Sequence, residues 1–286
     1  MSKELNLSTV CQEARCPNIA ECWEDKTATF MLMGDTCTRA CRFCSVKTGN
    51  PKGFLDPEEP QKIAHAISQL ELRYVVLTSV DRDDLPDLGS QHFASTIQIL
   101  KSKNKKSPTL VEALIPDFQG RQDCLEIILN SQVDVLAHNL ETVRRLNPLI
   151  RDKRANYDQS LGLLKKAKLL RPSVYTKTSL MLGLGEKLDE VYETLKELRS
   201  INCDVVTFGQ YLTPGKEKRF VPVLEFVRPR IFEELEFLAK DMGFLYVASG
   251  PLVRSSYKAA EHFLKGQLEL AHLKQQQQQQ QHQQDV

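Results

Sequence analysis

The chain is predicted to fold as an α/β partial barrel of six or so β/α units, with an extension at either end. Three features predict it. Short apolar runs rich in β-formers recur along the chain, apolar residues at helical spacing fill the gaps between them, and no Gly/Ser linker divides the series. Such alternation builds right-handed βαβ units on a parallel sheet, and the chemistry of these folds gathers at the C-terminal ends of the strands.

In chain order, residues 1–27 show little regular patterning and form an N-terminal extension. Strands are expected at 29–33, 74–78, 109–114, 134–137, 175–182, 205–209 and 245–248. Helices are expected where Ile63, Ala66, Ile67 and Leu70 recur on one face, then Leu161, Leu164, Ala167 and Leu170, then Val191, Leu195 and Leu198. The barrel therefore spans 28–249, followed by a C-terminal segment over 250–268. The tail, 269–286, is glutamine from 275 to 284 except for His282, and such a composition buries no core.

The 286 residues are 41% hydrophobic and 26% charged, an ordinary globular balance, and the formal net charge of +1 steers toward neither nucleic acid nor membrane. No run of about 18 apolar residues exists, and the first ten residues carry Lys3 and Glu4 without an apolar stretch, so neither a membrane span nor a secretory signal is expected. Six of the eight cysteines lie within the first 44 residues. Without an export signal, such clustering favours metal over disulfides. The expected compartment is reducing: the cytoplasm, or an organelle if a targeting segment has been lost from this sequence. Cys124 and Cys203 fall within regular elements and are expected to be small buried hydrophobes.

Cys37-x3-Cys41-x2-Cys44 follows directly on the first barrel strand. Three thiolates in one loop hold three irons of a [4Fe–4S] cube and leave the fourth open to chelate the amino and carboxylate groups of a methionine moiety. A structural zinc site, the competing reading, wants four N/S ligands, and no histidine lies near this loop. The spacing, with Phe43 before the last cysteine, resembles the signature of the radical S-adenosylmethionine (SAM) superfamily. Its fold is a partial (β/α)6 TIM-like barrel, and its cofactor cleavage releases a 5′-deoxyadenosyl radical.

Cys11-x4-Cys16-x5-Cys22 forms a second triad ahead of the first barrel strand. Spacing alone leaves open a second cluster, one larger site shared by both groups, or a zinc ion. Its context narrows the choice. Ser8-Thr9-Val10-Cys11-Gln12-Glu13-Ala14-Arg15-Cys16-Pro17-Asn18, ending in Glu21-Cys22-Trp23, resembles the N-terminal motif of the lipoyl synthases. Further matches are Asp35-Thr36-Cys37-Thr38-Arg39, Thr78-Ser79-Val80-Asp81-Arg82-Asp83-Asp84-Leu85, Val111-Glu112-Ala113-Leu114-Ile115-Pro116-Asp117-Phe118, His138-Asn139-Leu140-Glu141-Thr142-Val143, Gly209-Gln210-Tyr211-Leu212 and Gly250-Pro251-Leu252-Val253-Arg254-Ser255-Ser256-Tyr257. The resemblance covers about residues 7–265.

The resemblance implies two [4Fe–4S] clusters. One sits on Cys37, Cys41 and Cys44 and binds SAM. The other, auxiliary and sacrificial, sits on Cys11, Cys16, Cys22 and a serine of the Arg-Ser-Ser-Tyr run, Ser256 or alternatively Ser255. Taken bare, a Ser-Ser pair before a helix reads as an N-cap. The resemblance also implies the reaction: insertion of two sulfur atoms at C6 and C8 of an octanoyl group on a lysine of a lipoyl carrier protein, with no catalytic side chain beyond the cluster ligands. The implied partners are octanoylated carriers (2-oxo acid dehydrogenase E2 subunits and the glycine cleavage H protein), an electron donor such as ferredoxin or flavodoxin, and Fe–S assembly proteins.

The candidate SAM contacts follow from strand ends and analogy. Thr78, Ser79 and Asp81 stand where the superfamily usually carries Gly-Gly-Glu. Asn139 and Glu141 lie past the fourth strand. Gly183 and Gly185 follow the fifth in Met181-Leu182-Gly183-Leu184-Gly185-Glu186, which reads equally as a βα turn with a helix-starting glutamate. The cluster Asp81, Arg82, Asp83 and Asp84 is either functional or a solvated loop, and His138 fits a satisfied core histidine equally well. Arg254, just before the serine pair, is placed to orient a carboxylate or the cluster. Two other readings stand beside this one: a different radical SAM enzyme whose N-terminal cluster only transfers electrons, or a non-enzymatic Fe–S or zinc module.

Overall fold

The structure, a computed structural model, describes residues 8–9, 27–103 and 109–256. An antiparallel strand β1 (Ser8–Thr9) leads into β2 (Thr27–Leu32), and a two-stranded ribbon, β3 (Thr36–Cys37) with β4 (Lys47–Thr48), follows. The series then runs α1 (Glu59–Gln69), β5 (Tyr74–Ser79), α2 (Ser90–Lys103), β6 (Leu110–Leu114), α3 (Gln122–Leu129), β7 (Val135–Ala137), α4 (Asn147–Ile150), α5 (Tyr157–Leu170), β8 (Tyr175–Leu182), α6 (Leu188–Ser200), β9 (Val205–Gln210), α7 (Pro229–Asp241) and β10 (Tyr246–Gly250). Every strand expected from the sequence is present within one or two residues of its expected bounds.

The main sheet has the order β1-β2-β5-β6-β7-β8-β9-β10 and is parallel from β2 onward. Six helical crossovers join seven parallel strands, and β10 does not return to pair with β2, so the barrel is open. Because helices cover one face and the lumen the other, the strands read as near-continuous apolar runs, as in Tyr74-Val75-Val76-Leu77. Helix starts carry local signals. Pro60 and Pro229 stand in first turns, Asn156 Oδ1 accepts from Gln159 N at 2.7 Å, and Glu190 reaches back to Lys187 N at 2.8 Å.

Two cores result. The larger lies between sheet and helices, with Ile63, Leu77, Phe93, Leu125, Leu164, Leu195 and Phe232 buried there, and Cys124 and Cys203 fully buried beside them as expected. The smaller fills the lower lumen with Tyr74, Val76, Leu110, Val135 and Val205. A polar knot shares that space. Glu112 Oε2 accepts from Lys177 Nζ at 2.8 Å and from the Tyr74 hydroxyl at 2.7 Å, and all three side chains are buried. Two residues further along the same strand faces the lining becomes small: Ala137, Ser179, Thr207 and Ala248, then Gly209 and Gly250. Bulk at the base and small residues at the C-terminal end leave room only where strand-end chemistry gathers. Among the described residues no helix is long and apolar enough to cross a membrane.

Candidate metal and cofactor site

The cysteine loop begins where β2 ends. Met33 (φ 66°) and Gly34 (φ 85°) turn the chain, and the Glu59 carboxylate accepts from Met33 N at 2.8 Å while bonding His92 Nε2 at 2.7 Å. The loop is then sewn to three other strand ends. Thr38 N and Oγ1 both donate to the Asp81 carbonyl, at 3.0 and 2.9 Å. Arg42 N donates to Ile150 O and Val221 N donates to Arg42 O. Arg39 is buried between the ligand cysteines. Its guanidinium grips Asp117 with two bonds of 2.6 and 2.7 Å and Asp83 with two of 3.0 Å, and Asp81 lies 3.3 Å away. Arg154 adds a tie to Thr38 O at 2.7 Å and to Asp83 at 3.1 Å. The charged run 81–84 is thus not a solvated loop: Asp81 and Asp83 serve Arg39, and Asp84 pairs with the fully buried Arg82 at 2.8 Å.

This scaffold brings Cys37, Cys41 and Cys44 together, half-buried and unpaired. Cys37 Sγ lies 3.8 Å from Asp81 Oδ2, and Asp152 N donates to Cys41 Sγ at 3.3 Å. Burial, reinforced by Asp81, pushes the Cys37 thiol up to about 12. Burial pushes Cys41 up to about 11 against the pull of the Asp152 N–H and Arg151, and raises Cys44 with help from Glu141. Burial also lifts Asp81 to about 6, against the attraction of Arg39. Three thiols that stay protonated unless a strong cation joins them, beside two carboxylates, fit a cationic metal group that would deprotonate them on binding. Three thiolates leave a tetrahedral zinc ion one ligand short and match three corners of a [4Fe–4S] cube.

Around the triad stand other residues expected from the sequence. Thr78 and Ser79 end β5 half-buried, and Ser79 Oγ is a buried hydroxyl without a partner among the described residues. That orphan fits a polar ligand next to the cysteines. Glu141 has φ 70° and continues the β7 edge by bridging to Leu180, with its N–H donating to Ser179 O. A glutamate in the left-handed region at a strand end is held there by its surroundings, as at functional sites. Burial raises its carboxyl, which Asn139 hydrogen-bonds and Arg151 attracts.

Gly183 and Gly185, both at φ 98°, serve the chain itself. A Cβ on Gly183 would come within 2.3 Å of Gln210 Nε2 and Glu225 O, and one on Gly185 within 2.8 Å of Leu224 Cδ1. Glu186 accepts from Gly183 N at 2.6 Å and Leu184 N at 2.9 Å, closing the turn. The substitution Gly183→Ala is therefore expected to cost about 1–3 kcal/mol, read as a lowered urea midpoint.

Ser255 and Ser256 lie half-buried on the turn after β10, where Val253 O crosses within 2.1 Å of a Cβ built on Gly209 and Arg254 Nη1 donates to Gln210 O at 3.2 Å. Cys11, Cys16 and Cys22, most of the 250–268 segment and the glutamine tail lie outside the described residues. His138 is buried with both ring nitrogens bonded, to Ile115 O and Ser160 Oγ. Sequence reasoning missed Arg39–Asp117, Arg151 and Ser160, because nothing in their local spacing announces contacts made across the barrel mouth.

The Radical SAM superfamily profile matches residues 31–198. The chain is 58% identical over 271 residues to a protein named "Lipoyl synthase, mitochondrial" from Candida glabrata, covering 93% of this chain and 69% of that protein. It is 54% identical over 261 residues to "Lipoyl synthase, apicoplast" from Toxoplasma gondii, covering 91% of this chain and 47% of that protein. Among solved structures, HydG, a maturase of the [FeFe]-hydrogenase, superposes with a TM-score of 0.60 at 13% identity, over 85% of this chain and 57% of that one. That likeness concerns the fold. The organellar names overturn the expectation of a cytoplasmic protein. Reduced thiols fit an organelle matrix as well as a cytosol.

Proposed function

Because this chain belongs to the lipoyl synthase family of radical SAM enzymes, we propose that it inserts two sulfur atoms, at C6 and C8, into an octanoyl chain carried on a lysine of a lipoyl carrier protein. The observation that carries the reading is the Cys37/Cys41/Cys44 loop, held at the mouth of the barrel against Asp81 and Glu141. Those target carbons are unactivated, and no side-chain base removes their protons near neutral pH. Cys37, Cys41 and Cys44 would hold a [4Fe–4S] cluster at this place, which with SAM would supply the radical chemistry that such carbons need.

The remaining work falls to side chains. Ser79, Thr78 and Asp81 would offer polar contacts beside the triad, joined by Asn139 and Glu141 just past β7, while Gly183 and Gly185 would act by holding the turn after β8 in shape. Cys11, Cys16, Cys22 and Ser256 hold the auxiliary cluster that donates sulfide. A serine oxygen is a harder and poorer ligand for iron than thiolate, which suits a cluster that must be dismantled and rebuilt. Insertion would replace each C–H by C–S, the hydrogen leaving as 5′-deoxyadenosine, with one electron from the reductant and one SAM, released as methionine and 5′-deoxyadenosine, used per sulfur. The partners are octanoylated carriers such as 2-oxo acid dehydrogenase subunits or the glycine cleavage carrier, a ferredoxin- or flavodoxin-type reductant and Fe–S assembly proteins, within an organelle.

The test is anaerobic reconstitution followed by mass spectrometry of an octanoylated lysine peptide given SAM and dithionite. Wild type yields the doubly sulfurated peptide. Cys16→Ala still releases 5′-deoxyadenosine but gives no sulfurated product. Product from Cys16→Ala would exclude the N-terminal triad as the sulfur source.

A further inference from the structure

We propose that Asp152 is a positioning residue for electron entry at the triad: its carboxylate holds the cysteine loop while its backbone N–H bonds Cys41 Sγ, and that bond makes the metal group easier to reduce. The proposal rests on the reading that Cys37, Cys41 and Cys44 hold a [4Fe–4S] cluster.

Each of the three sulfurs faces a backbone N–H. Arg39 N donates to Cys37 Sγ at 3.4 Å, the Asp81 N–H is directed at the same sulfur, and the Val46 N–H serves Cys44. Arg39 and Val46 each stand two residues past their cysteine, so the loop supplies those donors by its own fold. Cys41 is served from across the barrel mouth. Asp152 N, 111 residues along the chain, donates to its Sγ at 3.3 Å. Asp152 lies two residues past α4, and its place against the loop has to be secured by contacts of its own.

The carboxylate makes those contacts. Its Oδ2 accepts from Ala40 N at 3.0 Å, so one residue grips loop positions 40 and 41 in opposite senses, accepting from the first and donating to the second. Arg154 holds the carboxylate from behind, with Nε to Oδ1 at 2.9 Å, Nη2 to Oδ2 at 3.1 Å and its own N–H to Oδ1 at 3.0 Å. The same guanidinium donates to Thr38 O in the cysteine loop at 2.7 Å. The Asp152 side chain is only 10% exposed, so water competes little for these bonds.

An N–H directed at a thiolate favours whichever state carries more negative charge there, and reduction adds negative charge to a cluster and its ligands. The bond from Asp152 N therefore favours the reduced state. The Asp152 carboxylate by itself would oppose an added electron, but Arg154 pairs with it. The step concerned is the transfer of one electron from the reductant to the oxidised cluster, in which no bond forms or breaks and no proton moves.

A dithionite titration of the reconstituted protein, followed by electron paramagnetic resonance of the cluster whose signal changes on adding SAM, tests this. At the potential where that cluster is half reduced in wild type, Asp152→Ala is expected to lower the ratio of reduced to oxidised cluster about tenfold, or about 59 mV for a one-electron couple, with iron content as in wild type. The sign separates this from charge or packing. Removing a carboxylate alone makes an electron easier to add and would shift the ratio the other way. Asp152→Asn keeps an acceptor for Ala40 N and loses only the charge, so its ratio is expected at or above that of wild type. Asp152→Pro deletes the N–H itself; Arg151, at φ −93° and ψ 163°, already has the extended backbone that precedes a proline, and this variant carries the test should Asp152→Ala fail to fold. Ratios in Asp152→Ala and Asp152→Pro at or above wild type, or a fall in Asp152→Asn as large as in Asp152→Ala, overturn the proposal. Wild type without an iron–sulfur signal that responds to SAM overturns the cluster reading beneath it.

Discussion

Cys41→Ala is expected to reduce 5′-deoxyadenosine release from SAM to the rate of the protein-free control, and to remove about four irons per chain from the reconstituted protein. The loss is total because the three thiols act as one unit. Each sits in a pocket that keeps it protonated alone, as the upward shifts of Cys37 and Cys41 to about 12 and 11 express. Metal binding therefore has to overcome the cost of burying thiolates, and two ligands give it less to do so with. Cys37→Ala and Cys44→Ala are expected to behave alike. Cys124→Ala provides the contrast: that thiol is buried in α3, its Sγ against Asp87 O at 3.4 Å, and its removal leaves cleavage intact. Cleavage surviving in the Cys41 variant would take the triad out of the reaction.

The second large effect is on stability. Arg39→Met is expected to destabilise the apoprotein by about 3–5 kcal/mol in urea, since it strands Asp117, which is fully buried, beside Asp83 and Asp81. The pH profile identifies the cause. Burial tends to raise Asp83, but hydrogen bonds from Arg39, Gln119 and Thr38 outweigh it and hold the carboxyl at about 2, below its ordinary 3.8. Asp117 is likewise held low. A depressed carboxyl stabilises the fold above its unfolded value and loses that contribution as the pH falls toward its folded one. Wild type should therefore lose stability between about pH 4 and pH 2, and Arg39→Met should show a flatter acid limb. An acid limb of unchanged steepness would mean that the arginine works by packing alone.

The strands were legible because a parallel sheet buried on both faces leaves nearly unbroken apolar runs, and the triad because ligand spacing within one loop is local. Asp81, Asn139 and Glu141 were singled out by their position just past strands, and that is where they lie. Gly183 and Gly185 show the limit of that logic. Their freedom at φ 98° is used to pack against Gln210, Glu225 and Leu224, residues twenty and more positions away that no local pattern connects to them. The acidic run at 81–84 was ambiguous for a related reason: a charge reads as solvated until its buried partner is known, and Arg39 and Arg82 are those partners.

The ties that hold the cysteine loop also set a timetable for synthesis. The loop leaves the ribosome early, yet Asp117 lies 78 residues beyond Arg39, Arg154 lies 116 beyond Thr38, and Arg219, whose carbonyl accepts from Arg42, lies 177 beyond it. At 5–20 residues per second the last of these emerges roughly 10–35 s after the cysteines. Until then the thiols belong to an unfinished coil that any stray oxidant or soft ion can reach. The loop therefore takes its final shape only when residues from the far half of the barrel have closed around it.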